Sequence, residues 1–403
     1  NLLELYPNDL SLNSSLAYRY LYMEEWEKAI EHSELYISYD IQTIQPHQFL
    51  AHAHRGKGQY ERAGKILEYY RDHVSNNATI HYYLCLNHIC EGDYENALKF
   101  VNKALSIDPT IARFSKTKAD IYHCLGDYTR AEIEAKKLLE VEDFTANSYG
   151  YRFLSHLYAF QGKFELAKKT SEKRHELSEA LEEEEEGEEE YIQNRLAYLH
   201  IKNRNPEEAL KTLNQTSQFY KEVDLRTVRR ALYLQGIAYI MLRSLDEAQS
   251  TAENLKIWTE KDANQKAIRW YYNLMGMIEL EKNNSQKALD YFHRAASTLS
   301  SPTYFRDYHG LILESMADAY FRIGDFDEAQ KAYEKIISSS TIVISYGDIY
   351  VKALYMLGRI SEKQGDTDKA IDHYENFLEL WKDADPGLDE VDDAKKRLAG
   401  LIQ

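Results

Sequence analysis

The stretch Gly92-Asp93-Tyr94-Glu95-Asn96-Ala97, followed by Val101, Ala104 and Pro109, decides the fold of this chain. Its alanine recurs every 34 residues in the first third of the sequence, at Ala29, Ala63, Ala97 and Ala131. A period of this length is typical of a repeat array, in which each unit buries its apolar face against its neighbours. The sequence therefore predicts a stack of similar units and not one globular core.

Two further positions recur with the alanine. A small residue stands twelve positions before it, and an aromatic residue or histidine follows that small residue by three positions. The small residues are Ala17, Ala51, Cys85, Ala119 and Ser155, and the larger ones are Tyr20, His54, His88, Tyr122 and Tyr158. This spacing predicts a hairpin of two helices, A and B, that approach closely at the small residues. Gly92 is expected to end helix A in the left-handed conformation, and Asp93 to cap helix B.

The pattern resembles the tetratricopeptide repeat, which carries a small residue at position 8, an aromatic at 11, alanine at 20 and 27, and proline at 32. The unit around Ala97 matches it well, with Ala104 and Pro109 at the last two positions. The alanine recurs downstream at a looser spacing, at Ala209, Ala248, Ala288, Ala329 and Ala370. These units resemble the longer variants of the kinesin light chain and of bacterial peptide-sensing regulators. Their extra residues are expected to lengthen both helices of the hairpin.

The resemblance implies an all-α, right-handed superhelical solenoid of about ten hairpins. Residues 1–9 are predicted to end a preceding repeat, and residues 10–177 to form repeats of about 34–36 residues. Residues 178–190 are predicted to be an acidic linker, followed by longer repeats of about 39–42 residues over 191–386. Residues 387–403 carry one apolar stripe and are predicted to form a capping helix, which shields the last repeat.

Composition excludes some functions. The 403 residues carry a net charge of −17, which disfavours direct contact with nucleic acid. No apolar run approaches the ~20 residues that span a bilayer, so no membrane partner is expected. The chain has three cysteines, which suit a reducing compartment and favour a cytoplasmic location. Because it lacks a starting methionine, we expect it to be a piece of a larger protein.

The acidic run at residues 182–190 has two interpretations. It contains five glutamates, Gly187 and three more glutamates. It can be a solvated loop or helix end between repeats, which is the usual role of a charge run. It can also be a docking strip for a basic partner. The sequence leaves both open.

Catalysis and metal binding have no support in the motifs. Cys85, His88, Cys90, His123 and Cys124 invite a zinc interpretation, but zinc favours paired Cys-x2–4-Cys ligands. Two of these residues also occupy packing positions of the repeat, so neither a metal nor a cofactor is predicted. The chain contains no glycine-rich phosphate loop, Gly-x-Ser-x-Gly or His-Glu-x-x-His motif, and we predict that it is not an enzyme.

The resemblance implies that helix A of each unit lines a concave groove through positions 2, 5, 9, 12 and 13. The predicted groove residues are Tyr149, Arg152, His156, Tyr191, Asn194, Tyr198, Lys202, Arg230, Tyr233, Trp270 and Asn273, with Glu314, Asp318, Arg322 and Lys352 further along. Tyrosine, tryptophan and arginine dominate the energetics of interfaces. Tyr191, Tyr198, Tyr233 and Trp270 are therefore predicted to form one docking surface. Alternatively, such tyrosines pack against the preceding helix B as core.

The sequence thus predicts a protein- or peptide-binding scaffold. The ending Tyr374–Pro386 looks like the end of bacterial multidomain proteins that carry such repeats behind a kinase, cyclase or DNA-binding domain. This resemblance implies a regulatory, signalling segment, and as an alternative a peptide or small-ligand sensor that controls an N-terminal effector. The two-carboxylate clamp of chaperone-binding repeats is not matched, since Asp120 stands where the clamp after Lys116 needs asparagine.

Overall fold

The fold is that of an all-α array of helical hairpins. The computed structural model describes residues 9–179, 188–216, 225–301, 303 and 309–402, which contain 22 α-helices and no β-strand. Residues 1–8 of the predicted preceding repeat and residues 180–187 of the predicted acidic linker lie outside this range. None of the described helices combines the length and the apolar character that crossing a membrane requires.

The first four hairpins follow the short period. They are α1 (Leu10–Tyr22) with α2 (Trp26–Tyr39), α3 (Ile44–Gly56) with α4 (Tyr60–His73), α5 (Ala78–Glu91) with α6 (Tyr94–Ile107), and α7 (Ala112–Cys124) with α8 (Tyr128–Lys137). Asp93 accepts a hydrogen bond from the backbone of Asn96 and so caps α6, as predicted.

Six further hairpins follow. They are α9 (Phe144–Phe160) with α10 (Phe164–Glu179), α11 (Glu188–Lys202) with α12 (Pro206–Thr216), α13 (Leu225–Met241) with α14 (Leu245–Glu260), α15 (Arg269–Glu281) with α16 (Ser285–Ala296), α17 (His309–Ile323) with α18 (Phe326–Ile337), and α20 (Gly347–Gln364) with α21 (Thr367–Leu380). A short helix α19 (Ser340–Ser345) precedes the last hairpin, and α22 (Asp389–Leu401) follows it and packs on α21.

Every hairpin turns through one left-handed residue, five positions before the repeat alanine. In six hairpins it is a glycine, namely Gly58, Gly92, Gly126, Gly162, Gly324 or Gly365. In the other four the same position is held by Glu24, Arg204, Arg243 or Asn283, with φ of 57–61°. Since left-handed backbone is costly for residues with a Cβ, packing of the two helices imposes the turn even where glycine is absent.

The small residues lie at close helix crossings. Ala97 and Ala131 are fully buried. A Cβ on Gly276 would lie 2.5 Å from the ring of Phe292, and one on Gly358 would lie 2.7 Å from the ring of Tyr374. Because a real Cβ does not approach a ring so closely, only a small residue fits these crossings, which confirms the prediction.

The extra residues of the later repeats lie largely in the connections between hairpins, so the prediction that both helices lengthen was partly wrong. Helix α13 has 17 residues and α20 has 18. Helices α16 and α18 have only 12 each, fewer than the 14 of α6. The connection 261–268 contains a 3-10 turn and the connection 338–346 contains α19, whereas the early connections are short.

The chain forms two compact units. The first comprises the described parts of Asn1–Glu134, Ala263–Lys266 and Leu299–Asp307. The second comprises those of Ala135–Asp262, Ala267–Thr298 and Tyr308–Gln403. The second unit thus holds hairpins five to ten. Hairpins five and six remain in contact across residues 180–187, since α10 packs on α11 and His175 pairs with Glu189 at 2.7 Å.

The second unit closes on itself, because its first hairpin contacts its last. Helix α9 packs on α20, and Trp381 donates from Nε1 to the carbonyl of Phe160 at 2.9 Å. The backbone N–H of Asp385 donates to the carbonyl of Gly162 at 3.0 Å, and its carboxylate accepts from the backbone of Glu165 at 2.8 Å. We call this set of interactions the closure contact. It places the helices A of hairpins five to ten around one interior.

The close crossing predicts opposite effects for the same substitution at two glycines. Gly276→Ala is expected to lower the free energy of unfolding by about 1–3 kcal/mol, since the new methyl group overlaps Phe292. Gly400→Ala, in α22 with no neighbouring atom within 4 Å, is expected to raise it by up to ~1 kcal/mol, because helical glycine is unfavourable. Urea unfolding followed by circular dichroism measures both. Equal stabilisation by the two substitutions would contradict the close crossing.

Candidate functional site

The interior of the second unit contains a cavity of about 410 Å³, which we call the interior cavity. Helices α11, α13, α15, α17 and α20 supply its walls. One side is apolar and the other is charged. The lining residues are Tyr198, Ile201, Lys202, Tyr233, Leu234, Ile237, Ile240, Met241, Arg243, Met277, Leu280, Glu281, Leu311, Glu314, Ser315, Asp318, Arg322 and Lys352. A volume of this size lies within the range of small-ligand sites.

The charged wall is an alternating chain of ammonium groups and carboxylates. Lys202 Nζ lies 3.1 Å from Asp348 Oδ2 and 3.5 Å from Glu314 Oε2. Lys352 Nζ lies 3.0 Å from Glu314 Oε1 and 3.5 Å from Asp318 Oδ2. Each lysine has two carboxylate partners, and the two lysines with the three carboxylates carry a net charge of −1.

The protonation states of the side chains in the charged wall follow from these contacts. Burial opposes the charge of Glu314, but the ammonium groups of Lys202 and Lys352 outweigh it and lower the pKa of the carboxyl. Burial likewise opposes the charge of Lys202, but Asp348 and Glu314 raise its pKa. Tyr198 is buried and donates to Asp348 at 2.7 Å, and burial together with that carboxylate raises its pKa. The network is therefore ionised and holds Tyr198 protonated at neutral pH.

Tyr233, which lines the interior cavity, is held in place by two buried neighbours, Trp270 and Asn273. Tyr233 is 1% exposed and Trp270 4% exposed, and their rings meet edge to face with centroids 4.7 Å apart. Asn273 is fully buried and donates to the hydroxyl of Tyr233 at 2.6 Å. Trp270 and Asn273 thus fix the position of Tyr233, which faces the interior cavity.

A second group of side chains surrounds Tyr191. The guanidinium groups of Arg152, Arg174 and Arg230 lie 5.1, 5.0 and 5.7 Å from the centre of its ring. Arg195 lies one turn further along α11 and donates to the carbonyl of Ser155 at 3.0 Å. Burial raises the pKa of Tyr191, but the four arginines outweigh burial and lower it to about 7. We call these four arginines the arginine cluster.

Most of the predicted groove residues lie at one of these two places. Tyr198, Lys202 and Tyr233 line the interior cavity, while Arg152, His156, Tyr191 and Arg230 belong to the surroundings of the arginine cluster. Asn194 is buried and joins α11 to α13 through the carbonyl of Thr227. Tyr149 is half-buried on α9 and lines neither place.

The docking surface predicted from Tyr191, Tyr198, Tyr233 and Trp270 stays a prediction. All four lie on helices A, but three are buried side chains of the closed interior. A partner would reach Tyr198 and Tyr233 through the interior cavity. The alternative interpretation, that such aromatic residues pack as core, describes Trp270.

The repeat pattern did not predict several residues of the interior cavity and of the arginine cluster. Asp348 precedes the repeat positions that were mapped to the groove, and Arg174 lies on a helix B. Arg195 falls between two groove positions of α11. The apolar wall, which includes Ile237 and Met277, lies at positions that the repeat pattern assigns to ordinary packing. Their convergence depends on the closure contact, which the repeat pattern does not specify.

The cysteines and histidines of the early repeats are packing residues. Cys85 is fully buried, and His88 stacks on Phe100 and pairs with Glu91 at 3.0 Å. Among the described residues, no group of three potential ligands converges as a metal site.

Comparisons with known proteins agree with the repeat pattern. Two sequence profiles of the tetratricopeptide repeat match the chain, one over residues 78–111 and one over residues 302–383. The chain is also 30% identical over 122 residues to the Heat shock protein sti1 homolog of Schizosaccharomyces pombe. That match covers 30% of this chain and 19% of the relative, so the chain matches only about a fifth of the relative's length.

Three solved structures are similar to this chain at low sequence identity and with low TM-scores. A tetratricopeptide repeat protein from Parabacteroides merdae is 15% identical, with 82% of this chain and 100% of that chain covered and a TM-score of 0.38. Yeast Tom70 is 15% identical, with 99% and 90% covered and a TM-score of 0.43. The human IFIT1 dimer with PPP-AAAA is 16% identical, with 94% and 85% covered and a TM-score of 0.47. Structural similarity at these TM-scores carries no information about a ligand of this chain.

The charged wall predicts a large effect for one neutral substitution. Glu314→Gln is expected to lower the free energy of unfolding by about 1.5–3 kcal/mol, because Lys202 and Lys352, both partly buried, each lose one of their two carboxylate partners. Glu328→Gln breaks an exposed pair with Lys331 and is expected to leave the free energy of unfolding almost unchanged. Denaturant unfolding at pH 7 measures both variants.

The pH dependence of the free energy of unfolding tests whether Glu314 is ionised in the folded protein. Folding lowers the pKa of Glu314 from 4.5, so its stabilisation is present above pH 4.5 and is lost as the pH falls toward the folded value. The difference between the wild type and Glu314→Gln should shrink in that acid range. A difference that is small at pH 7, or constant with pH, would contradict the ionised network.

Proposed function

We propose that this tetratricopeptide repeat protein is a non-catalytic scaffold that binds a protein or peptide, and that its interior cavity receives a side chain of the partner. The observation that carries the proposal is the cavity of about 410 Å³ in the second unit. It joins an apolar wall to a charged one, which is the usual composition of a binding site. The closure contact encloses the helices A of hairpins five to ten, so within the second unit a partner would dock at the interior cavity.

The lining of the cavity specifies the chemistry of the partner. Ile237, Met241 and Met277 offer an apolar surface to an aliphatic or aromatic side chain. At the cavity, Arg243 is exposed and Arg322 has a side chain 54% exposed, paired with Glu281. Arg243, and not Lys202 with its two carboxylate partners, would meet an acidic residue. We therefore propose a segment with a large apolar residue next to an acidic one.

The absence of catalytic motifs from the sequence supports the non-catalytic part of this proposal. The lysines and carboxylates of the charged wall pair with one another, which suits positioning and not proton transfer to a substrate. The matched relative is named a heat shock protein, but only a short part of it is matched, and the proposal does not rest on its activity.

The size of the cavity favours a second candidate function. A volume of about 410 Å³ also suits a free small molecule or short peptide. The chain would then be a sensor domain, and its ligand would act on an effector elsewhere in a longer protein. The three cysteines form no disulfide, which fits the reducing cytoplasm that we propose for either function.

Filling the cavity tests the proposal. Peptides selected from a random displayed library on the full chain should bind the wild type. Ile237→Trp, which fills the cavity, should weaken the selected peptides at least tenfold, or by about 1.4 kcal/mol. The matched control is Ile257→Trp, at a side chain 49% exposed on α14 and outside the cavity, and it should leave affinity unchanged. Fluorescence polarisation measures the dissociation constants.

Two outcomes separate the candidates. Equal binding by the wild type and both variants would contradict the cavity as the docking site. A thermal-shift screen with free amino acids and dipeptides gives the second comparison. A compound of this kind that stabilises the wild type and Ile257→Trp, but not Ile237→Trp, would favour the sensor.

A further inference from the structure

The apolar wall of the interior cavity contains two methionines, Met241 and Met277. Met241 is the last residue of α13 and lies two positions before Arg243, the left-handed turn residue of hairpin seven. It is 39% exposed, whereas Met277 on α15 is half-buried. Ile237 lies one turn earlier on α13 and lines the same cavity. The thioether of Met241 therefore belongs to the cavity wall and is also open to solvent.

The other methionines of the chain are better covered. All six methionines lie in the described residues. Met275, Met316 and Met356 are 3%, 8% and 5% exposed, and Met23 in the first hairpin is half-buried. A thioether is oxidised by a dissolved reagent only when that reagent reaches the sulfur, so exposure decides which methionine reacts first. A small oxidant therefore reaches Met241 before the others.

Oxidation of Met241 would make the apolar wall polar. A sulfoxide replaces the soft, apolar thioether by a group with a strong hydrogen-bond acceptor. An apolar side chain of the partner that packs on it would cover this oxygen, which costs free energy unless the oxygen finds a donor. Arg243 is the nearest exposed donor along the chain that lines the same cavity. A sulfoxide bonded to Arg243 would occupy the arginine that is assigned to the acidic residue of the partner.

We propose that Met241 is an oxidation site and that its sulfoxide prevents binding at the interior cavity; this inference rests on the proposed function. The oxidant is hydrogen peroxide. The sulfur of Met241 attacks one oxygen of the peroxide, the O–O bond breaks, and an S=O bond forms. The sulfur gives up two electrons to the peroxide, and the second oxygen leaves as water with both protons.

The position of Met241 confines the change to the cavity. Met275, Met316 and Met356 are the methionines whose oxidation would disturb the packing of helices, and they are the least exposed. Met241 ends its helix and is open to solvent, so its sulfoxide forms without moving a neighbouring helix. The modification therefore acts on binding at the cavity and leaves the fold intact.

Peptide mapping by mass spectrometry locates the oxidation in the wild type, without any partner. The full chain is treated with hydrogen peroxide, then with catalase to stop the reaction, and then with dithiothreitol to reverse oxidation of cysteines to disulfides and sulfenic acids. Met241 should become sulfoxide several times faster than Met23 and Met277, and the three buried methionines should react last. Oxidation of Met241 that is no faster than that of Met275 would overturn the proposal.

Binding is measured with a peptide from the selection on the full chain, at a peroxide dose that converts Met241 and leaves Met277 reduced. The oxidised wild type should bind this peptide roughly tenfold more weakly than its own untreated sample. Met241→Leu has an apolar side chain of similar volume that peroxide does not oxidise, so its treated and untreated samples should bind alike. Met23→Leu, outside the cavity, should lose as much affinity on treatment as the wild type.

The outcomes separate this inference from the function on which it rests. If Ile237→Trp binds the selected peptides as the wild type does, the proposed function fails and the oxidation switch fails with it. If Ile237→Trp weakens binding but the oxidised wild type binds as before, only the switch is overturned. The same holds if Met241→Leu loses as much affinity on treatment as the wild type. A loss of helical circular dichroism in the oxidised wild type would also overturn the switch, because the effect would then be unfolding.

Discussion

The close approach of two helices at a pair of small residues is the constraint on which the rest of this structure depends. A Cβ on Gly276 would lie 2.5 Å from Phe292, so the hairpin closes only when that position is nearly empty. Once the two helices are this close, the turn between them has one available path. That path passes through a left-handed residue even at Arg243, where the sequence offers no glycine. Stacking of such hairpins then produces the helical array.

The closure contact converts the later repeats from an open surface into an enclosed interior. Trp381 and Asp385, beyond the last hairpin, satisfy backbone groups at Phe160, Gly162 and Glu165 in the first hairpin of the second unit. Residues that would face solvent in an open groove therefore face one another. The consequence is chemical as well as geometric, because charged side chains brought into a shared interior must be paired. Lys202, on hairpin six, finds its partners on hairpins nine and ten.

Local repetition made the fold predictable from the sequence. The recurring alanine placed the hairpins, and Gly92 was correctly expected to end helix A in the left-handed conformation. The candidate site was predictable only in part. Helix-A positions correctly selected Tyr198, Lys202 and Tyr233 as interior residues, but the repeat pattern describes contacts between adjacent hairpins alone. Asp348 and Arg174 became part of a site through contacts that the period does not encode. The burial of individual tyrosines also depends on the closure contact, which joins hairpins that are far apart in the sequence.

The distance between hairpins five and ten tests directly whether the second unit is closed. Spin labels on Lys163→Cys and Asp383→Cys, in a chain whose three native cysteines are replaced by alanine, report this distance by pulsed electron resonance. In the structure, Lys163 Nζ and Asp383 Oδ2 are 3.8 Å apart. A closed unit should give a single narrow distribution below about 20 Å, since two labels side by side add only their own lengths to one helix spacing. An open stack of six hairpins, spaced by ~8–10 Å or more, would place the labels on the order of 40 Å apart, and that result would contradict closure of the second unit.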